Sequence, residues 1–200
     1  MEKNKNLDDK KTQILHAAIE IFAKEGLERG KIADIAKQAG IGKGTVYEYF
    51  KSKDEIFSAI ENMMVNDGLT QVEQLINSKK SPTEKIEEMV SYNINIHVAM
   101  GDSIIIFAEM WAQHSRGQWH GHEKSIFTDM YTSYHNAIKE ILAEGIEIGE
   151  FRKMNKDGVA TMLLALIDGI LWQSVIFKNV DNFSEWKNEA IKSFIKGIKV

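Results

Sequence analysis

Hydrophobic residues recur every three or four positions along most of the chain, and this spacing predicts amphipathic α-helices. The first helix is expected over about residues 9–25, with an apolar stripe made of Ile14, Ala18, Ile21 and Phe22. No stretch alternates apolar and polar residues as a half-buried strand does, and the single proline leaves the helical segments uninterrupted. The pattern therefore predicts an all-α protein with about nine helices.

The stretch 32–53 predicts two short helices separated by a tight turn. The apolar positions of the first are Ile32, Ile35, Ala36 and Ala39, and those of the second are Val46, Tyr47 and Phe50. Gly40 can adopt the positive φ that such a turn requires. The second helix begins with Lys43, Gly44 and Thr45, whose small or polar groups can approach a DNA major groove. We interpret the pair as a DNA-binding helix-turn-helix, and the alternative is an ordinary hairpin of two helices within a bundle.

Basic residues are concentrated around this helix pair. Residues 29–53 contain six lysines and arginines against two acidic residues, although the formal net charge of the whole chain is −4. The six are Arg29, Lys31, Lys37, Lys43, Lys51 and Lys53. A basic patch on an acidic protein indicates a nucleic-acid-binding head on a body that does not bind nucleic acid.

Two segments of the chain, ILHAAIEIFAKEG and IADIAKQAGIGKGTVYEYFKSKDEIF, resemble the N-terminal domain of TetR-type transcriptional regulators. The resemblance covers roughly residues 12–60. It implies a homodimeric repressor that binds double-stranded DNA at a palindromic operator and whose C-terminal domain binds a small effector. By position, it places Lys43, Thr45 and Tyr47 on the recognition helix. It matches Tyr49 and Lys53 to positions that hold DNA phosphates.

The chain departs from the family pattern at the starts of the two short helices. Gly42 stands where the family usually has serine, and Gly30 and Lys31 stand where it has a pair of threonine or serine residues. Glycine at an N-cap is within a few tenths of a kcal/mol of serine, so the fold should form. Two hydroxyl contacts to phosphate are nevertheless missing, and we hypothesise that Lys31 supplies a replacement charge.

The remaining residues predict a helical body. Ser52 with Glu55, and Ser81 with Glu84, have the spacing of capping boxes that begin the fourth and fifth helices. The expected helices span about 54–76, 82–97, 104–113, 124–148, 157–178 and 184–199, with a loop over 115–122. We therefore expect a helix-turn-helix DNA-binding domain over 1–53 and an effector-binding and dimerisation domain over 54–200. The fourth helix links the two.

Residues 159–177 are apolar on all sides of the predicted eighth helix. Asp168 at the centre disfavours a membrane span, since a central carboxylate costs roughly 2.5–3.5 kcal/mol on insertion. We expect Met162, Leu163, Leu166 and Ile170 to face the core of the same chain. The opposite side, with the ninth helix, should form a symmetric four-helix dimer interface. Its candidate residues are Leu164, Asp168, Leu171, Val175, Trp186, Ile191, Phe194 and Ile195. Dimerisation would place two heads about 34–36 Å apart to read the palindrome.

Aromatic and methionine residues are frequent on the predicted helices of the body. They indicate either a hydrophobic effector pocket or plain core packing. The candidates for effector binding are His97, Phe107, Met110, Trp111, Phe127, Tyr131, Tyr134 and Trp172. The expected effector is a small hydrophobic or aromatic molecule.

Two other function classes have weaker support in the sequence. His114, His120 and His122 suggest a metal-responsive regulator, because imidazole ligates zinc, although a tetrahedral site needs further ligands. An enzyme is not expected, because the sequence has neither cysteine nor a recognisable nucleophile or phosphate-loop motif. We expect no cofactor. The chain starts without an apolar leader, so we expect a cytoplasmic protein that does not bind a membrane.

Overall fold

The computed structural model describes residues 2–117, 126–177 and 181–200, and within these ranges it describes the side chains outside 2–8 and 94–102. The described residues form nine α-helices and one short 3₁₀ helix. Their only β-type pairing is an isolated bridge between Phe151 and Lys199. The predicted all-α class is confirmed.

The helix order follows the prediction, with shifts at the ends. The helices are α1 Glu2–Glu25, α2 Ile32–Gln38, α3 Lys43–Tyr49, α4 Lys53–Ile76, α5 Pro82–Met100, α6 Ile105–Ser115, α7 Ile126–Glu147, α8 Lys156–Ile176 and α9 Phe183–Ile198. Helix α1 begins earlier than expected, because the polar residues before Asp9 include neither proline nor glycine to stop it. The expected break at Gly101 is a 3₁₀ helix over Gly101–Ile104 that leads directly into α6. Of the expected loop 115–122, Ser115 belongs to α6, and residues 118–122 lie outside the described part.

The chain divides into two compact units. The first contains Met1–Asn66 and Met100–Phe127, and the second contains Asp67–Ala99 and Thr128–Val200. Helix α4 contributes its first part to one unit and its last part, from Asp67, to the other. The functional division into 1–53 and 54–200 stays a prediction.

Local capping signals begin several helices. The amide of Glu55 donates to Ser52 Oγ at 3.1 Å, and the amide of Glu84 donates to Ser81 Oγ at 3.3 Å. Each glutamate returns a bond, since Glu55 accepts from the Lys51 amide at 2.6 Å and Glu84 from the Ser81 amide at 2.8 Å. Both predicted capping boxes are therefore confirmed, with Lys51 rather than Ser52 as the donor to Glu55.

The N-caps of α8 and α9 differ from those predicted from the sequence. Asn155 caps α8 by accepting a hydrogen bond from the Gly158 amide at 2.9 Å. This cap was not predicted from the sequence. Helix α9 begins at Phe183, so the predicted cap Ser184 lies inside it. Residue 182, an asparagine, occupies the N-cap position of α9 without a side-chain bond.

The core of the second unit is one cluster contributed by the end of α4 together with α5, α7, α8 and α9. Its members include Val72, Leu75, Ile86, Met89, Ile138, Leu142, Leu163, Ile167, Phe194 and Ile198. At its edge the buried Lys85 forms an ion pair with Glu144, with 2.8 Å between Nζ and Oε2. This charge is tolerated in the interior because its partner neutralises it.

Helix α8 is, within the described part of the chain, the one helix long and apolar enough to cross a membrane by length and composition. Core helices of soluble proteins pass the same test. Here Ala160, Leu163, Ile167 and Ile170 of α8 belong to the buried cluster of the second unit. Part of the apolar surface of α8 is therefore buried in the core of the second unit.

Candidate DNA-binding surface and effector site

The first three helices and the start of α4 form the head. Helix α1 packs against α2, and α2 packs against α3. The side chains that hold them together are fully or almost fully buried and include Ile14, Ala18, Phe22, Ile35, Val46, Phe50 and Phe57. Gly40 has a φ of +66°, which makes the abrupt turn between α2 and α3 without strain. The second helix of the pair is thereby held in a fixed position on the head.

Helix α3 buries Val46 and turns its other residues outward. Lys43, Gly44 and Tyr47 are exposed, and 47% of Tyr47 is accessible to solvent. Lys43 and Tyr47 lie one turn apart, and the Lys43 ammonium lies 5.8 Å from the centre of the Tyr47 ring. This cation–π contact orders two long side chains on the surface. Thr45 and Tyr49 are half-buried. The structure thus gathers the residues predicted to enter the groove on one short, accessible helix.

The helix starts that depart from the family pattern have no side-chain caps. Lys31 is the N-cap of α2 and Gly42 the N-cap of α3, and neither makes a side-chain cap bond. Lys31 is exposed, so its ammonium is accessible to a phosphate. Gly30 packs under the aromatic ring of Phe22, where a Cβ atom would lie 2.8 Å from Cδ1. This close approach explains a glycine at that position.

Lys53 is the first residue of α4 and is half-buried. Its ammonium reaches the loop that follows α1. Lys11, on α1, lies 5.7 Å from the centre of the Phe50 ring. The first unit therefore contains basic side chains from each of the helices α1 to α4.

Residues 14–60, which contain this arrangement, match the family described as bacterial regulatory proteins of the tetR family. These residues form a TetR-type DNA-binding domain. The chain is a DNA-binding transcriptional regulator, and the helix-turn-helix predicted from its sequence is confirmed.

Relatives of the chain extend the likeness beyond the head. The fatty acid metabolism regulator protein of Bacillus subtilis (strain 168) is 25% identical over 187 residues, which are 93% of this chain and 94% of that protein. The crystal structure of the regulator FadR from Bacillus subtilis in complex with stearoyl-CoA has a TM-score of 0.72 at 24% identity, covering 94% of this chain and 98% of that one. A regulator from Saccharomonospora viridis in complex with choline has a TM-score of 0.73 at 20% identity, covering 94% and 96%. The structural likenesses show that the fold is shared over nearly the whole chain.

The residues proposed to line an effector pocket are distributed over both units. Phe107, Met110, Trp111 and Phe127 belong to the first unit, and Tyr131, Tyr134 and Trp172 to the second. Met110 and Phe127 are buried, whereas 39% of Trp111 is exposed. The side chain of His97 lies outside the described residues. Of this set, Tyr134 lines a cavity between α4, α5 and α7. Most of the other residues that line this cavity were not predicted from the sequence.

Tyr131 and Asp168 form a polar pair in the second unit. The Tyr131 hydroxyl donates to Asp168 Oδ1 at 2.9 Å. Burial raises the pKa of Asp168, and the hydrogen bond from Tyr131 opposes that rise. Asp168, the residue whose charge disfavours a membrane span for α8, thus has a polar partner inside the protein.

The histidines proposed for metal binding are only partly described. His114 lies on α6, its ring centre 5.9 Å from that of Phe127, and its Nδ1 is buried without a hydrogen-bond partner. His120 and His122 lie outside the described residues. In the ranges that are described, no three His, Asp or Glu side chains come together in a way that could hold a metal ion.

The residues proposed for the dimer interface differ in exposure. Leu171, Phe194 and Ile195 are buried within the chain itself, and Leu164 and Ile191 pack partly against the core. Val175 and Trp186 are 38% and 53% exposed, and the neighbouring Ile176, which the sequence reading did not single out, is 73% exposed. Met162, expected in the core, is 52% exposed, because α8 is rotated so that Ala160, Leu163 and Ile167 face inward.

Proposed function

We propose that the protein is a homodimeric repressor that binds a palindromic operator and is released from it by a small hydrophobic or aromatic effector. In this proposal residues 1–53 contact DNA, and residues 54–200 bind the effector and the partner subunit. The observation that carries it is the exposed pair Lys43 and Tyr47 on α3, presented by a head whose interior is fully packed.

The DNA contacts follow from the chemistry of the head. Lys43, Gly44, Thr45 and Tyr47 on α3 would enter the major groove, where backbone and short polar groups read base edges. Lys31, Tyr49 and Lys53 would contact phosphates and fix the orientation of the head. Phosphate contacts of this kind make the affinity depend strongly on salt concentration.

Exposed apolar residues at the junction of α8 and α9 support dimerisation. Phe177 packs against Trp186 with 6.3 Å between ring centres, and against Phe183 with 5.6 Å. This aromatic contact brings the exposed Trp186 next to the end of α8, where Val175 and Ile176 are also exposed. A patch of this kind on one chain is typical of an interface with a second copy.

Release by an effector requires only that the effector bind better to a dimer whose heads are no longer at operator spacing. A coupling free energy of about 1–3 kcal/mol would lower operator affinity roughly 5- to 150-fold. The structurally similar FadR of Bacillus subtilis was crystallised with stearoyl-CoA. That complex supports a hydrophobic effector for this protein, and α4, which continues from the head into the second unit, is the element suited to transmit its binding.

The test begins with selection of preferred duplexes from random DNA by the full-length protein. Fluorescence anisotropy then compares the wild-type protein with Tyr47→Ala and with Ile148→Ala, which truncates an exposed side chain outside the head. We expect Tyr47→Ala to weaken binding about ten-fold or more, since a good base contact is worth about 1–3 kcal/mol, and Ile148→Ala to have no effect. Selection of no preferred duplex, or equal binding by Tyr47→Ala and wild type, would contradict the proposal.

A further inference from the structure

A cavity of about 240 Å³ lies within the second unit, between the last part of α4, α5 and α7. Its apolar side includes Val72, Leu75 and Met89, which belong to the core of that unit. Its polar side includes Tyr92, Asn93 and Tyr134. A dry cavity of roughly 150 Å³ is known to hold one benzene molecule, so this cavity has space for a molecule of about two fused rings.

The two charged side chains in the lining of the cavity neutralise each other. Its charged lining residues, Lys80 and Glu88, form an ion pair with each other. The remaining lining residues carry hydroxyl, amide or apolar groups. Burial raises the pKa of the Tyr92 phenol, and the nearby carboxylate of Asp67 raises it further, so an anion entering here would meet negative charge. Desolvation raises the pKa of Tyr134 to about 12, which keeps its hydroxyl neutral as a hydrogen-bonding group.

Tyr134 is held in place at the wall of the cavity. Tyr134 is 7% exposed, and it lines the cavity beside Asn93, whose Nδ2 donates to the Met89 carbonyl oxygen at 2.8 Å. On the other side, its hydroxyl oxygen lies so close to α4 that a Cβ atom on Gly68 would be 2.9 Å away. A molecule that bonds to Tyr134 or displaces it would therefore act directly on α4 at Gly68.

We infer that this cavity is the effector site and that it takes a small uncharged molecule, with an aromatic or alicyclic body of about two rings and a hydroxyl or carbonyl group directed at Tyr134 and Asn93. The inference rests on the proposed function, because it names the chemical class of the effector that releases the operator. It excludes a long acyl chain with a charged carrier as the occupant of this cavity, on the grounds of volume and of the paired charges at Lys80 and Glu88.

The test uses 2-naphthol as an uncharged two-ring probe, 2-naphthoate as its anionic counterpart and palmitoyl-CoA as a long acyl probe. Each is titrated by calorimetry into the full-length protein, into Gln74→Trp and into Ser91→Trp. Gln74 is an exposed lining residue, so tryptophan there fills the cavity from the solvent side. Ser91 is exposed on α5 outside the lining and serves as the matched control. Urea unfolding verifies that both variants fold.

We expect 2-naphthol to bind the wild-type protein and Ser91→Trp alike, and to bind Gln74→Trp about ten-fold more weakly or not at all. Binding of 2-naphthoate as tightly as 2-naphthol would overturn the uncharged class. Binding of palmitoyl-CoA that is equal in all three proteins, without binding of 2-naphthol, would overturn the site. Operator affinity of the compound-free protein is measured in parallel, so that a failure of the proposed function is seen separately as a loss of DNA binding.

Discussion

The ammonium Nζ of Lys53 donates a hydrogen bond of 2.7 Å to the backbone carbonyl oxygen of Glu28. This bond ties the first residue of α4 to the loop between α1 and α2. An ammonium group has three donors, so two remain for a DNA phosphate. Lys53 thus joins the element that continues into the second unit to the head that carries α3, and it is suited to both a structural and a phosphate-binding role.

Replacement of Lys53 by alanine should therefore have two measurable effects. Operator binding should weaken alike for all sequences, and the slope of log affinity against log salt should fall by about one unit. The free energy of unfolding should fall by about 0.5–1.5 kcal/mol, since the bond to Glu28 is lost. Anisotropy over a salt series and urea denaturation measure the two effects. Lys196→Ala, which removes an exposed lysine from α9, is the charge-matched control. A change of sequence preference in Lys53→Ala would contradict the phosphate role.

Glu61, on the part of α4 that belongs to the first unit, should make stability depend on pH. It is 5% exposed, and burial raises its pKa from an ordinary 4.5 to about 7. Between pH 4.5 and 7 the folded protein therefore keeps a proton that the unfolded chain has released. Stability is greatest below this window, falls as pH rises through it, and is level above it. The loss attributable to Glu61 is on the order of 3 kcal/mol.

Urea unfolding at a series of pH values tests this with Glu61→Gln, whose side chain resembles the protonated acid. We expect the variant to match the wild-type protein near pH 4, below the window, and to exceed it at pH 8 by an amount on the order of 3 kcal/mol. Glu87→Gln, at an exposed position of α5, should leave the pH dependence of the wild-type protein unchanged. An unchanged pH dependence in Glu61→Gln would show that another group is responsible.

The contact between Gly68 and Tyr134 predicts a non-additive pair of substitutions. Alanine is normally favoured over glycine in a helix by about 1 kcal/mol, but here its Cβ would lie 2.9 Å from the Tyr134 hydroxyl. Overpacking of a buried site costs about 1–3 kcal/mol, so Gly68→Ala should destabilise the wild-type protein. In a Tyr134→Phe background the same change should be neutral or stabilising, because the hydroxyl is gone. Unfolding of the four proteins gives the coupling energy, and additive effects would contradict the contact.

The apolar patch at the end of α8 predicts a specific dimer mutant. Val175→Glu places a carboxylate beside Ile176, which is 73% exposed. Burial of an unpaired charge at an interface costs several kcal/mol, so the proposed dimer should dissociate about 100-fold more readily. Sedimentation velocity measures the change. Ile148→Glu adds the same charge at a 63% exposed position outside α8 and α9 and should leave the dimer intact. Equal effects of both variants would mean that the interface lies elsewhere.

The DNA-binding head was predictable because its signals are local. Gly40 between two short apolar stripes defines the turn, and serine and glutamate three residues apart define the start of α4. Helical spacing likewise predicted every later helix to within a few residues of its ends. The role of Lys53 as a donor to Glu28 could not be predicted in this way, because the two residues are 25 positions apart.

Sequence patterns were enough to predict the helical class, the helix order and the position of the helix-turn-helix, since periodicity, turns and caps act over a few residues. The side of α8 that faces inward could be seen only after folding, since Ile167 rather than Met162 is buried. The same holds for the contact of Tyr134 with Gly68 beside a cavity, whereas most of the other aromatic candidates lie elsewhere. These features depend on how helices distant in sequence pack side by side, and a helix that is apolar on every side carries no local signal for its rotation.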